Sequence, residues 1–436
     1  MTANGHSLPD TVPLLASQSL APGGSLAFDD NEKTKVIGNM QPLHGALARW
    51  IEENGGYLGP LEIRSQPDGE RAVYASQAIP EGELLLEIPA RCMVTAEAVR
   101  SYPLGRRVAE GWPGGQLGQM GLAVFLLEQR LTGDPWWSPF LASMPNRWHH
   151  LPLFFGDEEM RLLEGSAIPF AIAQRRVECS EEFRRVVGLA PELGRYSMED
   201  YLIARAASTS RSFADRREGI PGLTLVPIAD MLNHSLSCDA AWAFDGERSV
   251  FYVRSTRPVK EGEPVNTDYG RRSNTYLLRN YGFTLADNPH NEATIWVAPP
   301  PWGPQRDWRS REFGTLDGGR RRFELPVCAS KSAEVISFFR LAFARGDEVE
   351  RAIHPDSGEI PVLSERNESA VMEALGEACR NALRRYPSTV EEDDAVLAAN
   401  VAGNVRNCIV ARRGEKVVLR TWAEWAERKP FAQYGS

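Results

Sequence analysis

Two short runs of residues hold side chains that can bind and orient a small polar ligand. In the first run, an apolar stretch that begins at Val226 ends in Asn233 and His234. The second run carries two Tyr-Gly pairs, which begin at Tyr269 and Tyr281. Amides, imidazoles and phenols donate and accept hydrogen bonds, so these residue types suit ligand orientation. Each run taken alone also fits an ordinary structure: a strand that ends in a polar turn, or core aromatic residues at turns.

Strands on both sides of a long insertion must position these runs. A strand–turn–strand pattern covers residues 71–88, with Gly82 in its turn, and recurs at residues 249–269, with Gly262 in its turn. Glycine suits such turns because it adopts positive φ without strain. The two expected hairpins lie far apart in the chain and indicate one β-rich domain that is split by an insertion.

The insertion and the C-terminal region show helical periodicity. Residues 118–131 and 198–207 are expected helices, and Ser197 is the expected N-cap of the second one. In the C-terminal region, residues 391–410 predict one long helix. Residues 1–42 are rich in Ser, Pro, Gly, Asn and Asp without periodicity, so we expect a disordered tail.

Several familiar catalytic motifs do not occur in the sequence. It has no G-x-x-x-x-G-K-[ST] and no G-x-G-x-x-G, so phosphate-binding loops and dinucleotide-binding folds lose their main support. It has no H-E-x-x-H and no G-x-S-x-G, which argues against zinc proteases and hydrolases with a nucleophile elbow. The six cysteines are scattered and have no C-x-x-C spacing, so we predict no metal site.

The composition is that of an ordinary globular protein. The 49 Lys and Arg are interleaved with the 58 Asp and Glu, and the formal net charge is −9. A nucleic-acid surface needs clustered basic residues, so we expect no nucleic-acid partner. No apolar run has the length of a membrane span, and residues 1–40 lack a targeting pattern, so we expect no membrane contact. Scattered cysteines favour an intracellular, soluble protein, which we expect to be a cytoplasmic monomer, with plastid and nucleus left open.

Taken together and in this order, the two runs resemble the signature motifs of the SET domain of protein methyltransferases. The pair Asn233 and His234 resembles the family's N-H element. Tyr269, followed by the Tyr-Gly-Phe sequence at 281–283, resembles its closing tyrosine motif.

Other segments resemble the Rubisco large-subunit methyltransferase branch of this family. Residues 209–213, Thr-Ser-Arg-Ser-Phe, look like the Ser-Arg element that precedes the N-H motif. Residues 386–393 and 413–419 look like signatures of the branch's substrate-docking domain. The resemblance therefore covers residues 43–430.

The resemblance implies an α+β fold. It predicts a β-rich, pseudoknot-like SET core that is split by a helical insertion, together with an all-α C-terminal domain. The expected parts are a disordered tail at 1–42, SET core at 43–95, helical insertion at 96–222, SET core again at 223–286, and a helical substrate-docking domain at 287–436.

The resemblance also implies an activity: S-adenosyl-L-methionine-dependent protein-lysine N-methylation of a non-histone protein. Transfer of a methyl group from sulfonium to amine is an in-line displacement that needs alignment and little competing water. Tyr269 would be the catalytic residue, acting through orientation and electrostatics rather than as a base, since the ordinary tyrosine pKa is near 10. The implied cofactor-binding residues are Glu70, Arg71, Ala72, Ser210, Arg211, Asn233, His234, Tyr281 and Phe283, and the implied substrate-binding residues are Phe213, Asp230, Trp242 and Tyr281.

The sequence departs from the family pattern at one loop. The family has a G-x-G turn against the cofactor, and here the matching residues are Glu70, Arg71 and Ala72. Side chains at such positions restrict close approach of a ligand to the backbone. This departure motivates an alternative, a catalytically inactive SET-type module that binds protein. For Arg211, which is implied to face the cofactor carboxylate, the alternative is a surface ion pair.

Phe213 decides between two acceptors. In the actin-histidine branch an asparagine occupies the matching position and can bond an imidazole nitrogen. A phenyl ring makes no such bond, and it favours an aliphatic stem and a cation by about 0.5–2 kcal/mol. We therefore predict lysine as the acceptor, with protein histidine as the alternative. The C-terminal helices would dock the substrate protein, and the alternative for them is plain scaffolding.

Overall fold

The computed structural model describes residues 42–65, 71–215, 222–297, 320–327, 333–353 and 359–428. The expected disordered tail lies outside the described residues. The described residues form two compact units: residues up to 149 with 176–270, and residues 150–175 with those from 271 onwards. The boundary at residue 270 differs from the expected end of the SET core at 286.

The strands fall mostly in the first unit. In chain order they are β1 Tyr57–Leu58, β2 Leu61–Ser65, β3 Arg71–Ala75, β4 Leu84–Pro89, β5 Ser212–Asp215, β6 Gly222–Leu225, β7 Asn233–His234, β8 Ala240–Asp245, β9 Val250–Ser255, β10 Asn266–Thr267, β11 Glu292–Val297 and β12 Arg321–Pro326. Six of them form one sheet in the order β1-β4-β9-β8-β10-β7, while β2 pairs with β3 and β5 pairs with β6. The sheet is antiparallel up to β8, whereas β10 runs parallel to both β8 and β7.

The helices occupy the insertion and the C-terminal region. They are α1 Pro42–Glu53, α2 Ala96–Ser101, α3 Pro103–Gly111, α4 Gly118–Thr132, α5 Ser138–Ser143, α6 Asp157–Leu162, α7 Ile168–Leu189, α8 Met198–Arg211, α9 Asn274–Tyr281, α10 Ala333–Phe343, α11 Asp347–Ile353, α12 Glu365–Leu383, α13 Val390–Ala398 and α14 Gly403–Glu427. Two expected helices appear as α4 and α8. Ser197 caps α8, since its hydroxyl accepts a hydrogen bond from the Asp200 N–H at 3.1 Å.

The two expected hairpins are wrong, although their strands and turns form. β3 pairs with β2, and β4 pairs with β1 and β9. Gly82 and Gly262 both have φ of 79°, as expected of the turns. The two turn segments pair with each other, through reciprocal Ile79 and Val259 backbone hydrogen bonds of 2.8 and 2.9 Å. Local patterns identify strands and turns, but a long-range partner can replace the neighbour in sequence.

The C-terminal region differs from expectation in two details. The single helix expected over residues 391–410 is broken, because Asn400, between α13 and α14, and Gly403, the first residue of α14, adopt φ of 60° and 59°. The region is helical as expected, and it also contains the two-stranded antiparallel sheet β11-β12, which the periodicity did not predict. This sheet packs with α10, α12 and α14 in one apolar core that includes Phe338, Leu375 and Trp422.

Candidate active site

The pairing of β7 with β10 brings Asn233 and His234 next to the segment that leads into Tyr269. In this parallel ladder Asn233 lies opposite Asn266, and His234 lies opposite Thr267. The ladder continues past the strand, where the Ser235 N–H donates to the Thr267 carbonyl at 3.1 Å. Residues that are distant in the sequence therefore meet at one edge of the six-stranded sheet.

Tyr269 follows β10 and is fully buried. Its hydroxyl donates to the Leu232 carbonyl oxygen at 2.9 Å, and its backbone N–H donates to His234 Nδ1 at 3.1 Å. The two rings lie 4.9 Å apart between centroids. A nitrogen that accepts a hydrogen bond carries no proton, so His234 is the neutral tautomer with its proton on Nε2. The backbone thus orients both aromatic groups.

Asn233 links this strand to β3. Its Nδ2 donates to the Arg71 carbonyl oxygen at 3.2 Å, which sets the orientation of the amide, since a carbonyl only accepts. Among the described residues nothing bonds its Oδ1, although that atom is buried. A buried amide oxygen without a partner is costly. This oxygen is therefore available to a donor group of a ligand.

The loop that departs from the family pattern ends in β3. Glu70 lies outside the described residues, while Arg71 and Ala72 are buried. The Arg71 side chain donates through Nη1 to the Ser143 carbonyl at 3.0 Å, at the C-terminal end of α5. A cation suits a helix C-terminus, where unpaired carbonyls accumulate. The Arg71 backbone carbonyl accepts the hydrogen bond from Asn233 Nδ2.

Arg211 and Asp230 pair with each other. Arg211 Nη1 lies 3.0 Å from Asp230 Oδ2 and also donates to the Asp230 carbonyl at 3.2 Å, and both side chains are 1% exposed. The Arg211 guanidinium lies 5.6 Å from the centre of the Trp148 ring. The ion pair is buried, so the alternative of a surface ion pair is wrong. It ties the end of α8 to the single helical turn that leads into Asn233, and the sequence analysis did not foresee it.

The remaining predicted residues of the first unit lie beside α8 and β8. The Ser210 hydroxyl donates to the Ala206 carbonyl at 2.8 Å within α8. Phe213 and Trp242 form an aromatic cluster with Phe251, with ring centroids 4.9–5.3 Å apart. Among the described residues nothing bonds the buried Trp242 Nε1. The cluster therefore contains one available hydrogen-bond donor.

Tyr281 and Phe283 belong to the second unit, at the C-terminal end of α9. Gly282 between them has φ of 82° and closes the helix, with its N–H on the Leu277 and Leu278 carbonyls. The Tyr281 and Phe283 rings lie 6.3 Å apart. Burial raises the pKa of Tyr281 well above its usual value. This phenol therefore stays protonated.

Leu232 is a site residue that the sequence analysis missed. It contributes its backbone carbonyl, which accepts the Tyr269 hydroxyl. Every residue type carries that group, so the only sequence signal was its place directly before Asn233. No group of three or more His, Cys, Asp or Glu that suits a metal ion occurs within the described ranges.

Comparison with known proteins matches the chain to two family models. The SET domain model matches residues 70–270, and the Rubisco LSMT substrate-binding model matches residues 318–419. The resemblance stated from the sequence is thereby confirmed.

Curated relatives align along most of the chain. The Rubisco large subunit N-methyltransferase of Pisum sativum is 22% identical, over 96% of this chain and 88% of its own length. The fructose-bisphosphate aldolase-lysine N-methyltransferase of Arabidopsis thaliana is 25% identical, over 85% of this chain and 80% of its own. The actin-histidine N-methyltransferase of Homo sapiens is 24% identical, over 91% of this chain and 69% of its own length. Both lysine and histidine acceptors thus occur among proteins of this similarity.

A solved structure shares the fold. The SET domain of LSMT bound to lysine and AdoHcy has a TM-score of 0.75 and 21% identity, and the likeness covers 90% of this chain and 93% of that one. The expected α+β architecture, with a β core and a helical C-terminal region, is confirmed.

Proposed function

With its SET domain and its Rubisco LSMT substrate-binding domain, the chain is a SET-domain protein methyltransferase that uses S-adenosyl-L-methionine, and we propose that its acceptor is a lysine of a non-histone protein. The observation that carries this proposal is the meeting of Asn233 and His234 of β7 with Tyr269, which follows β10. The residue roles and the domain boundaries given from the sequence are part of the same proposal.

The cofactor fits the groups that the structure presents. When bound, it supplies a sulfonium methyl group for in-line displacement by a nitrogen nucleophile. The unpartnered Oδ1 of Asn233 would accept one of its donor groups, and the backbone of Arg71 and Ala72 would border it. His234 would bind the cofactor through its main-chain groups, because its side-chain Nδ1 already accepts a hydrogen bond from the Tyr269 N–H.

Tyr269 would orient the reacting groups. Its hydroxyl hydrogen is donated to the Leu232 carbonyl. A phenol oxygen can also accept polarised C–H or N–H groups. A phenol in this state contributes fixed partial negative charge without accepting a proton. The lysine would reach its deprotonated form because a dry pocket lowers an amine pKa.

Phe213 supports lysine over histidine, since a phenyl ring favours an aliphatic stem and a cation. One observation favours the histidine alternative: the unpartnered Nε1–H of Trp242 lies in the same aromatic cluster and can donate to an imidazole nitrogen. Mass spectrometry of the methylated peptide separates the two, because the fragment masses identify the modified side chain.

The substrate-binding domain is present, and we propose that the substrate protein docks on its helices and that the enzyme is a monomer. No described helix has the length and apolar character of a membrane span. The five described cysteines form no disulfide, and we propose a cytoplasmic location on that basis. Fractionation of cells that produce a tagged chain would distinguish the cytoplasm from a plastid or the nucleus.

The test uses radiolabelled S-adenosyl-L-methionine and a cell extract. Wild-type protein is expected to label a protein band that Tyr269→Phe labels far more weakly. Equal and poor labelling by both would refute the enzymatic proposal. Calorimetry with the cofactor then tests the inactive-module alternative, which predicts no binding up to millimolar concentration.

A further inference from the structure

In the first unit, one buried carboxylate holds the strand that leads into Tyr269. Asp239 lies directly before β8 and is 1% exposed. Its Oδ2 accepts from the Asn266 backbone N–H at 2.8 Å and from Asn266 Nδ2 at 3.2 Å. Its own backbone N–H donates to the Asn266 carbonyl at 2.8 Å. One residue therefore bonds the N–H, the carbonyl and the side chain of Asn266, which is the first residue of β10.

The position of β10 depends on few hydrogen bonds. The strand has two residues and runs parallel to both of its neighbours, β8 and β7. Parallel pairing is slightly less stable per residue than antiparallel pairing, so each bond to so short a strand matters. The Asn266 N–H bonds a side-chain oxygen and not a strand carbonyl. The register at this point therefore depends on which residue type stands at position 239.

An arginine balances the charge of this carboxylate. Arg257 Nη2 pairs with Asp239 Oδ1, and the Arg257 side chain is 52% exposed. The Asp239 carbonyl accepts from the Thr256 N–H at 2.8 Å, directly after β9. A buried carboxylate needs hydrogen bonds or a cation to offset its loss of water. The charge of Asp239 thus has a partner of its own, apart from the two Asn266 donors that fix β10.

The register of β10 sets the relation between its neighbours and Tyr269. Asn266 lies opposite Asn233 in the ladder with β7, and Tyr269 follows three residues later. On the other side, β8 carries Trp242. A slip of one residue moves a strand by about 3.3 Å. Such a slip would separate the Tyr269 N–H from His234 Nδ1, which now lie 3.1 Å apart between nitrogen atoms.

We propose that Asp239 is a positioning residue for methyl transfer, which fixes β10 between β8 and β7 and so places Tyr269 beside Asn233 and His234. The inference rests on the proposed function, in which Tyr269 orients the reacting groups. Asp239 acts through the main chain of β10 and has no contact with the reacting atoms in this proposal.

The first experiment compares Asp239→Ala with Glu128→Ala in the full-length chain. Glu128 is a matched control, because it is also 1% exposed and its carboxylate accepts the N–H groups of Leu104 and Gly105 at 2.7 and 2.8 Å. Urea denaturation should show a similar loss of stability in both variants, since each leaves buried N–H groups without an acceptor.

The two variants should differ in methyl transfer. At saturating labelled S-adenosyl-L-methionine, the initial rate of labelling of extract protein should fall about 10- to 100-fold in Asp239→Ala, the effect of a misplaced active-site group. Glu128→Ala should stay within about twofold of wild type, because its bonds hold α3 and not β10. Equal losses of rate in the two variants would mean a merely structural role and would overturn the proposal.

Two further variants test the hydrogen bonds themselves. Asp239→Asn keeps an oxygen for the Asn266 donors, and the half-exposed Arg257 can turn to water, so the rate should stay within about threefold of wild type. Because Asp239→Ala can fail to fold, Asn266→Ala removes only the bond from Asn266 Nδ2 and should lower the rate about 3- to 5-fold.

The two hypotheses fail in different ways. If wild type binds S-adenosyl-L-homocysteine and labels protein, and Asn266→Ala and every folded Asp239 variant label it equally fast, the positioning role is overturned and the proposed function stands. If wild type neither binds at millimolar ligand nor labels protein, the proposed function falls, and the positioning role falls with it.

Discussion

The hydroxyl of Tyr269 donates a 2.9 Å hydrogen bond to the carbonyl oxygen of Leu232, the residue directly before Asn233. This bond connects the beginning of the second polar run to the first run, directly before its Asn-His pair. With the bond from the Tyr269 backbone N–H to His234 Nδ1, it holds Tyr269 at two points, one on its main chain and one on its phenol. The orientation of the phenol therefore depends on the path of the chain through residues 232–234.

Loss of the Tyr269 hydroxyl should slow transfer without releasing the cofactor. Tyr269→Phe is expected to lower kcat by about 100-fold, as when a preorganised polar group is removed from an active site. Affinity for S-adenosyl-L-homocysteine should stay within about threefold of wild type. Tyr196→Phe is the matched control, since that hydroxyl also donates to a leucine carbonyl, that of Leu127 at 3.1 Å. Equal losses in the two variants would mean that the effect is structural.

Asn233 is expected to contribute to cofactor affinity. Asn233→Ala removes the available amide oxygen and the bond to the Arg71 carbonyl, so calorimetry with S-adenosyl-L-homocysteine should show about 10-fold weaker binding. Asn54→Ala removes a similar side-chain bond, from Asn54 Nδ2 to the Trp50 carbonyl at 2.7 Å, and should leave affinity unchanged. Unchanged affinity in both variants would remove Asn233 from the cofactor site.

The buried pair of Arg211 and Asp230 should matter to stability. Arg211→Met leaves a buried carboxylate without its cation and is expected to cost about 3–5 kcal/mol of unfolding free energy, measured by urea denaturation. Adding Asp230→Leu should recover most of that loss, because two apolar side chains need no partner. The exposed pair of Arg107 and Glu192 is the control, and Arg107→Met should cost less than about 1 kcal/mol. A loss this small in Arg211→Met would contradict the role given to the pair.

Trp242→Phe separates the two acceptors. It keeps an aromatic ring beside Phe213 and removes the Nε1–H. For a lysine acceptor, kcat/KM with the identified substrate protein should change by less than about threefold, since a phenyl ring still packs on the aliphatic stem. For a histidine acceptor, loss of a hydrogen bond to the imidazole should lower kcat/KM about 10-fold. A 10-fold loss would therefore count against lysine.

Glu415 should produce a defined pH dependence of stability. Burial raises the pKa of its carboxyl above the usual value, although bonds from Tyr386, Thr275 and Ser166 lower it. The folded protein then binds the proton more tightly than the unfolded chain, so this group's stabilising contribution is lost as pH rises from the ordinary glutamate pKa, about 4.3, to the raised folded value. Urea denaturation across that interval should show a steeper fall for wild type than for Glu415→Gln. Parallel curves would contradict the raised pKa.

The sequence predicted the local elements well where the signal lies in neighbouring residues. The helix at 118–132, the cap at Ser197 and the turns at Gly82 and Gly262 follow from periodicity, side-chain capping and positive φ. The expected hairpins failed because strand pairing is decided by the best partner in space. β4 pairs with β9, which follows the insertion in the sequence.

The candidate site divides in the same way. Asn233, His234 and Tyr269 were identified from residue type and order, and the structure places them together. Leu232 could not be identified from its residue type, because it takes part through its backbone carbonyl, which every residue has. The sequence did not predict the pairing of Arg211 with Asp230 either. It assigned Arg211 to the cofactor and Asp230 to the substrate, whereas the two side chains bond each other.

By itself the sequence determined the kind of protein: a split β-rich core with a polar asparagine–histidine run, a closing tyrosine motif and a helical C-terminal region. Only the tertiary structure decided which atoms bond each other: Tyr269 with Leu232, and Arg211 with Asp230. Composition and spacing record the chemistry that each residue carries. Distances between residues far apart in the chain depend on how the sheet closes and how helices pack, and that is settled by the sum of many contacts across the whole fold.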